Sequence, residues 1–429
     1  MRRLLTALLG TILLASPAWA SRQVISMGMD NAISATVTHY QSPFSLQVSA
    51  GTGGPGTFDA EALTSAGGTL SNLSVSLTVA PGAAASGKSF AITLLVDGSA
   101  SALSCTVSET ATTCTDTDTV SVAADQIVLM EFVPANTPDV SRPRYSLTFD
   151  STTAKESMYG GNSDSTNISS TAAQRHFPPM GNDGGGDTVE ADVEQIMPLA
   201  GTALRLYVRM ETAPGAAASG DSYTFTIEKD GTATDLACVV LETATSCNDT
   251  GTTTFTAGQR LTLSTTPNSA PAASEFIFGL TLLADTDGQF VAGAFVMDSG
   301  DPPTAAATEY GHLQAGDATS GFDTAALKND LGQAMTIKAL YLRSDAAPTA
   351  LNTIVWSLYN NGATSALTLT QTDAETSDSA TTDVTITDGV LLATEAVASA
   401  GQLATFDFRV SYLGFVAPAS AARRIIFIN

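Results

Sequence analysis

Residues Gly82–Ser89 read GAAASGKS, which matches the nucleotide-binding pattern G-x-x-x-x-G-K-[ST]. In a phosphate-binding loop a strand enters and a helix leaves. The helix's first amides cradle the phosphates while the lysine reaches them. Here the next residues are SFAITLLV, an alternating, β-forming run that predicts a strand. The loop recurs as APGAAASG at 80–87 and 213–220, but Asp221 stands where Lys88 stands. A carboxylate there repels phosphate, so both loops are expected to be plain connections between strands.

Other residues could bind or react. GNDGGGDTVEAD at 181–192 gathers Asp183, Asp187, Glu190 and Asp192 in a glycine-rich segment. Calcium takes several oxygens from such segments, so these four are the candidate metal ligands. The competing reading is a solvated acidic turn. His39, His176 and His312 fall one near the start of each repeat. They are expected as first-strand packing residues, converging only if the repeats close in a ring. No G-x-S-x-G, H-E-x-x-H or C-x-x-C is present. A glycoside hydrolase needs only two carboxylates, and 42 acids single out no pair. No catalytic residue is assigned and no enzyme is expected. Tyr159, Tyr310 and Phe322 are the aromatics available for sugar stacking.

The elements that must position these residues come in repeats. At an offset of 133 residues, LSVSLTVAPGAAASGKSFAITLLVDG falls on LYVRMETAPGAAASGDSYTFTIEKDG, and ALSCTVSETATTC on DLACVVLETATSC. A divergent third copy begins LYLRSDAAP at Leu340. A period this long means independent domains rather than solenoid turns. The expected division is a leader at 1–20 and β-sandwich modules at 21–152, 153–287 and 288–429.

Phe90, Ile92 and Leu94 match Tyr223, Phe225 and Ile227, then Ile354, Trp356 and Leu358. The period of two puts all nine on one face of a sheet. VDGSAS, KDGTAT and NNGATS follow as reverse turns. Each copy closes on a long run: RYSLTFD, EFIFGLTLL or FDFRVSYL. About seven strands with turns every 8–12 residues predict an all-β fold of antiparallel, jelly-roll-like sandwiches. VEADVEQI and TAALKNDL are the only predicted helical turns.

Cys105/Cys114 and Cys238/Cys247 share a nine-residue offset at the same place in two copies. Four cysteines allow three connectivities, and the duplication favours these two pairs, opposite one another on adjacent strands. Leu369 and Asp378 take the two positions in the third copy. Glu109, Glu242 and Asp373 recur in the polar turn between them, and Asp116 and Asp249 just beyond it.

The run SYTFTIEKDG…LACVVLETATSCNDT, introduced by ETAPG, resembles a repeat of uncharacterised secreted bacterial and phage-associated structural proteins. The strand pattern is also similar, in architecture, to jelly-roll heads of the C1q/tumour-necrosis-factor type. The resemblance implies a surface or fibre component and brings no site residues.

MRRLLTALLGTILLASPAWA opens the chain with two arginines, an apolar stretch and Ala18-Trp19-Ala20 before Ser21. This reads as a Sec-type signal peptide, since about 12 apolar residues cannot cross a ~30 Å core. A secreted, extracellular or periplasmic protein without a membrane span is expected. The net charge of −24 repels nucleic acid and anionic lipid. The expected function is an exported, non-enzymatic structural or adhesive protein, binding itself or a cell-surface or glycan partner. A secreted carbohydrate-binding protein or a glycoside hydrolase is the alternative. No cofactor is expected beyond calcium at 181–192.

Overall fold

The Asp-Gly and Asn-Gly pairs turn the chain in all three repeats. Asp97 and Gly98 have φ of 46° and 73°, Asp230 and Gly231 50° and 75°, and Asn361 and Gly362 50° and 89°. Two successive left-handed residues are what a tight hairpin needs to match the twist of its strands. These hairpins belong to a computed structural model describing residues 21–28, 31–44, 48–50, 60–163, 166–168, 170, 174–182, 185–297, 307–313, 315–317, 330–400 and 407–417. The leader at 1–20 lies outside them.

The first stretch forms β1 (Arg22–Met27), β2 (His39–Gln41), β3 (Val48–Ala50), β4 (Ala62–Leu63), β5 (Gly68–Leu77), β6 (Ser89–Val96), β7 (Ser99–Ser108), β8 (Thr113–Val122), β9 (Ile127–Ala135) and β10 (Pro143–Ser151). The second forms β11 (Glu156–Asn162), β12 (Arg175–Phe177), β13 (Gly181–Asn182), α1 (Glu190–Val193), β14 (Gln195–Ile196), β15 (Gly201–Met210), β16 (Ser222–Lys229), β17 (Thr232–Leu241), β18 (Ser246–Phe255), β19 (Arg260–Asn268) and β20 (Phe276–Ala284). The third forms β21 (Gln289–Met297), β22 (Thr308–Gly311), β23 (Ala315–Asp317), β24 (Asp330–Leu331), β25 (Met335–Ser344), β26 (Ile354–Asn360), β27 (Ala363–Gln371), β28 (Ser377–Ile386), β29 (Leu391–Ala398) and β30 (Phe408–Phe415).

In the first stretch the sheet β1-β10-β5-β8 packs on β2-β9-β6-β7. The second repeats this as β11-β20-β15-β18 on β12-β19-β16-β17, and the third as β21-β30-β25-β28 on β22-β29-β26-β27. Eight strands so divided between two antiparallel sheets make a jelly roll. The chain is all-β, with three jelly-roll sandwiches in tandem. Of the two predicted helical turns, VEADVEQI supplies α1, whereas most of TAALKNDL lies outside the described residues.

Ile92, Phe225 and Trp356 hold one register position, opposite Cys105, Cys238 and Leu369. All three are fully buried. A large apolar group is required there because a close-packed interior leaves no space for water.

Both disulfides form, Cys105–Cys114 with a Cα separation of 5.9 Å and Cys238–Cys247 with 5.7 Å. Their setting differs from the expected ladder pair. β7 pairs with β6 and β8 with β5, in different sheets, so each bond staples one sheet of its sandwich to the other. The spacing reveals the pair but not that the turn at Glu109 crosses between sheets. Reducing each bond is expected to cost its sandwich about 2.5–3 kcal/mol on the chain-entropy model. The third sandwich, with Leu369 and Asp378 in the two positions, has no such bond to lose. Hydrogen exchange with and without reductant checks this, and equal losses in all three sandwiches would contradict it.

Candidate functional site

An exposed sheet should bury every second residue, yet the closing strands are buried on both faces. In β10 and β20 every residue but one is buried. The positions that alternation assigns to solvent, such as Arg144 and Ser146, Gly279 and Thr281, and Arg409 and Ser411, are all buried. Each such face is covered by the preceding sandwich in the ring.

The cover is a two-residue strand. β4, β14 and β24 each pair with their own sandwich, along β9, β19 and β29. β4 then lies against β11, β15 and β20, β14 against β21, β25 and β30, and β24 against β1, β5 and β10. These are equivalent strands of the next jelly roll each time, and the third sandwich returns to the first. A head-to-tail contact made three times closes a ring.

Each of the three seams is built differently. At the first, Arg209 pairs with Asp125 at 3.1 Å, and the Thr281 hydroxyl donates to the Ser65 carbonyl at 2.9 Å. A Cβ on Gly279 would lie 2.3 Å from the Leu63 carbonyl oxygen, so glycine there lets the two backbones touch.

At the second seam the Glu194 carboxylate, 1% exposed, accepts from Arg260 Nη1 at 2.6 and 2.8 Å. Arg343 of the next sandwich stands 3.6 Å away and Arg409 3.9 Å. Burial pulls the Arg409 guanidinium below its usual range, and Glu194 opposes that shift.

At the third seam Asp330 is fully buried, accepting from Leu313 N–H at 2.6 Å with His312 Nδ1 at 2.7 Å. Burial likewise lowers Arg144 of the first sandwich, and the charge on Asp330 acts against it. Gln333 Nε2 donates to the Asn72 carbonyl across this joint.

A cleft opens at each seam. The first, about 550 Å³, is lined by Glu61, Asp97, Asp125, Arg209 and Glu211 among others. The one beside Gln333 and Asn72 measures about 360 Å³, and the one beside Arg343 and Ile196 about 280 Å³. Among the described residues no group of three or more His, Cys, Asp or Glu is placed to hold a metal.

Of the calcium candidates, Asp183 lies outside the described residues. Asp187 bonds through its backbone to His176, and its carboxylate accepts Val189 N–H at 2.8 Å. Glu190 accepts from Gly231 N–H at 3.1 Å and the Thr262 hydroxyl at 3.2 Å. Burial raises its pKa, and the neighbouring Glu228 adds to that. Asp192, on the same short helix, acts on Arg409 across the second seam.

The histidines sit on or just beyond the second strand of each jelly roll rather than the first, and at different register positions. His39 faces Phe132, a place taken by Arg175 and Glu309 in the other copies. His176 lies one residue further along, and His312 two beyond that. Each has a local partner. His39 Nε2 accepts Ser34 N–H at 2.7 Å, His176 Nδ1 stands 3.4 Å from Glu228, and His312 pairs with Asp330. Burial lowers the His39 pKa.

The recurring acids hold turns. Glu109 and Glu242 accept from Gly87 and Gly220 N–H at 3.2 and 3.3 Å, and Asp373 from Leu351 N–H at 2.7 Å. These three pin the GAAASG-type loops against the neighbouring turn. Asp116 accepts Ser104 N–H at 2.7 Å and Asp249 accepts Ala237 N–H at 2.9 Å, tying the two sheets beside each disulfide. Lys88, the supposed phosphate lysine, pairs with Asp139 at 2.9 Å.

Tyr159, one of the three aromatics named for sugar stacking, is buried in β11, where it is closed to a sugar, and its hydroxyl accepts Val291 N–H at 2.7 Å. Tyr310 meets Tyr359 edge to face, with ring centroids 4.8 Å apart, and burial with Glu395 nearby raises its pKa to about 12. Phe322 lies outside the described residues.

Fold and site together define a class, a single-chain ring of three jelly rolls joined by acid–arginine seams. No family model matches the chain and no curated protein matches it. Among solved structures it aligns with one described as "The Triple Jelly Roll Fold and Turret Assembly in an Archaeal Virus". The alignment covers 94% of this chain and 91% of that one, at 12% identity and a TM-score of 0.19. A superposition that loose carries no argument, so the fold rests on the strand order above.

Proposed function

We propose that this chain is an exported structural or adhesive component of a cell or particle surface, with no reaction of its own. The observation that carries the reading is the ring. At its seams the buried Glu194, Arg409 and Asp330 and the partly exposed Arg209 and Arg343 are taken up in joining one sandwich to the next. Of the polar groups singled out in the sequence, Glu109, Glu242, Asp373, Asp116 and Asp249 hold turns and sheets together. Two disulfides support an oxidising compartment, and no helix among the described residues is long and apolar enough to cross a membrane.

The test has two arms. Mass-calibrated X-ray scattering on residues 21–429 should return a radius of gyration near ~22 Å at monomer mass. A much larger radius at that mass would break the ring. Immunogold labelling of the producing cells or particles should place the chain at their surface. Label found only on free protein, together with hydrolysis of a polysaccharide, would overturn the role.

A further inference from the structure

We propose that Ser21 is the amino terminus of the mature chain and that its free α-ammonium group pins together the two connections between sandwiches. The proposal rests on the export reading above for the cleavage and on the geometry of Ser21 for the pin.

Ser21 is 4% exposed although it precedes the first strand. Its hydroxyl donates to Asp287 Oδ1 at 2.9 Å and accepts Lys155 N–H, while its carbonyl accepts Ser151 N–H at 3.0 Å. Lys155 lies between β10 and β11, and Asp287 between β20 and β21. One small residue therefore touches both inter-sandwich connections. Gln23, two residues on, reinforces the grip, since its amide exchanges two hydrogen bonds of 2.9 Å with the Met158 backbone.

An α-nitrogen on Ser21 is two carbons from that hydroxyl, which places it within about 6 Å of the Asp287 carboxylate, in range for strong mutual stabilisation of opposite charges. The charged groups around the seat are Asp287, Glu156 and Asp150, against Lys155, Arg205 and Arg22. Glu156 is reached through Ser151 Oγ at 3.4 Å and pairs with Arg205. Lys155 Nζ donates to the Asp285 carbonyl at 2.7 Å, and Arg22 pairs with Asp150 at 2.8 Å. Glu156 and Asp150 each have an arginine partner, whereas among the described residues Asp287 is in no ion pair, so an added ammonium would be its cation.

The Ala18-Trp19-Ala20 motif supplies that charge. Hydrolysis of the Ala20–Ser21 bond consumes one water and leaves a carboxylate on Ala20 and an ammonium on Ser21. Cleavage thus creates a cation beside Asp287.

The experiment compares four chains by thermal melting: one beginning at Ser21, one retaining residues 18–20, and each again with Asp287→Asn. Retaining 18–20 should lower the melting temperature by about 2–3 °C when Asp287 is present and by less than about 1 °C when it is asparagine. Equal losses in both backgrounds overturn the pin. Mass spectrometry of the protein exported from the full-length gene should find Ser21 first. Any other terminus overturns the cleavage assignment, and the recombinant comparison still decides the pin.

Discussion

Replacing Glu194 by alanine lowers stability by about 3–5 kcal/mol, the usual cost of removing one partner from a buried ion pair. The loss falls on the second seam. Arg260 has Asp230 as a second partner at 3.1 Å, and Arg343 is partly open to water. Arg409 has neither relief. It is 1% exposed, and Glu194 is the foremost of the acids that offset its burial. A Glu194→Ala, Arg409→Met double variant should therefore lose less than the two single losses combined. Thermal unfolding of the four chains measures this. A Glu194→Ala cost below about 1 kcal/mol, or additive losses, would mean that the carboxylate does not hold the seam.

Trp356→Ala is the second large effect, again about 3–5 kcal/mol, and it falls inside one sandwich. The indole is fully buried with its ring 4.5 Å from that of Phe408. Its Nε1 donates to Gln371 Oε1 at 3.2 Å, and the Gln371 amide in turn donates to Ser344 Oγ at 2.6 Å. Alanine leaves a cavity and strands a buried amide oxygen. The third sandwich lacks the sheet-to-sheet disulfide of the others, so hydrogen exchange should accelerate across β25–β30 well before it does in β6 or β16. A uniform acceleration throughout the chain would contradict this.

The sandwiches were legible in the sequence because their signals are local. Asp-Gly turns, a period of two at Phe90, Ile92 and Leu94, and a cysteine pair nine residues apart depend only on near neighbours. The ring was not. Ser146, Gly279 and Ser411 look like solvent positions in an alternating strand, and only the neighbouring sandwich makes them interior. Nothing in the sequence singles out Arg409 and Glu194 either, which lie far apart along the chain and meet only across a seam. Gly279 carried a faint signal, a glycine inside a strand, which marks close approach of another backbone. The histidines misled because equal spacing along the chain resembles equivalence. Register shows that His39, His176 and His312 occupy three different places.

Closing the ring within one polypeptide has a consequence for how it behaves when scarce. A trimer of separate subunits falls apart on dilution below its dissociation constant. Here the partners are tethered, so each meets the next at a local concentration fixed by linkers such as residues 152–155 and 285–288, whatever the amount of protein present. A single chain holds all three joints of the ring at any dilution. Covalent order also frees each joint from copying the others. The three seams differ in their acids and arginines, and one side of the ring can change while the other two keep it closed.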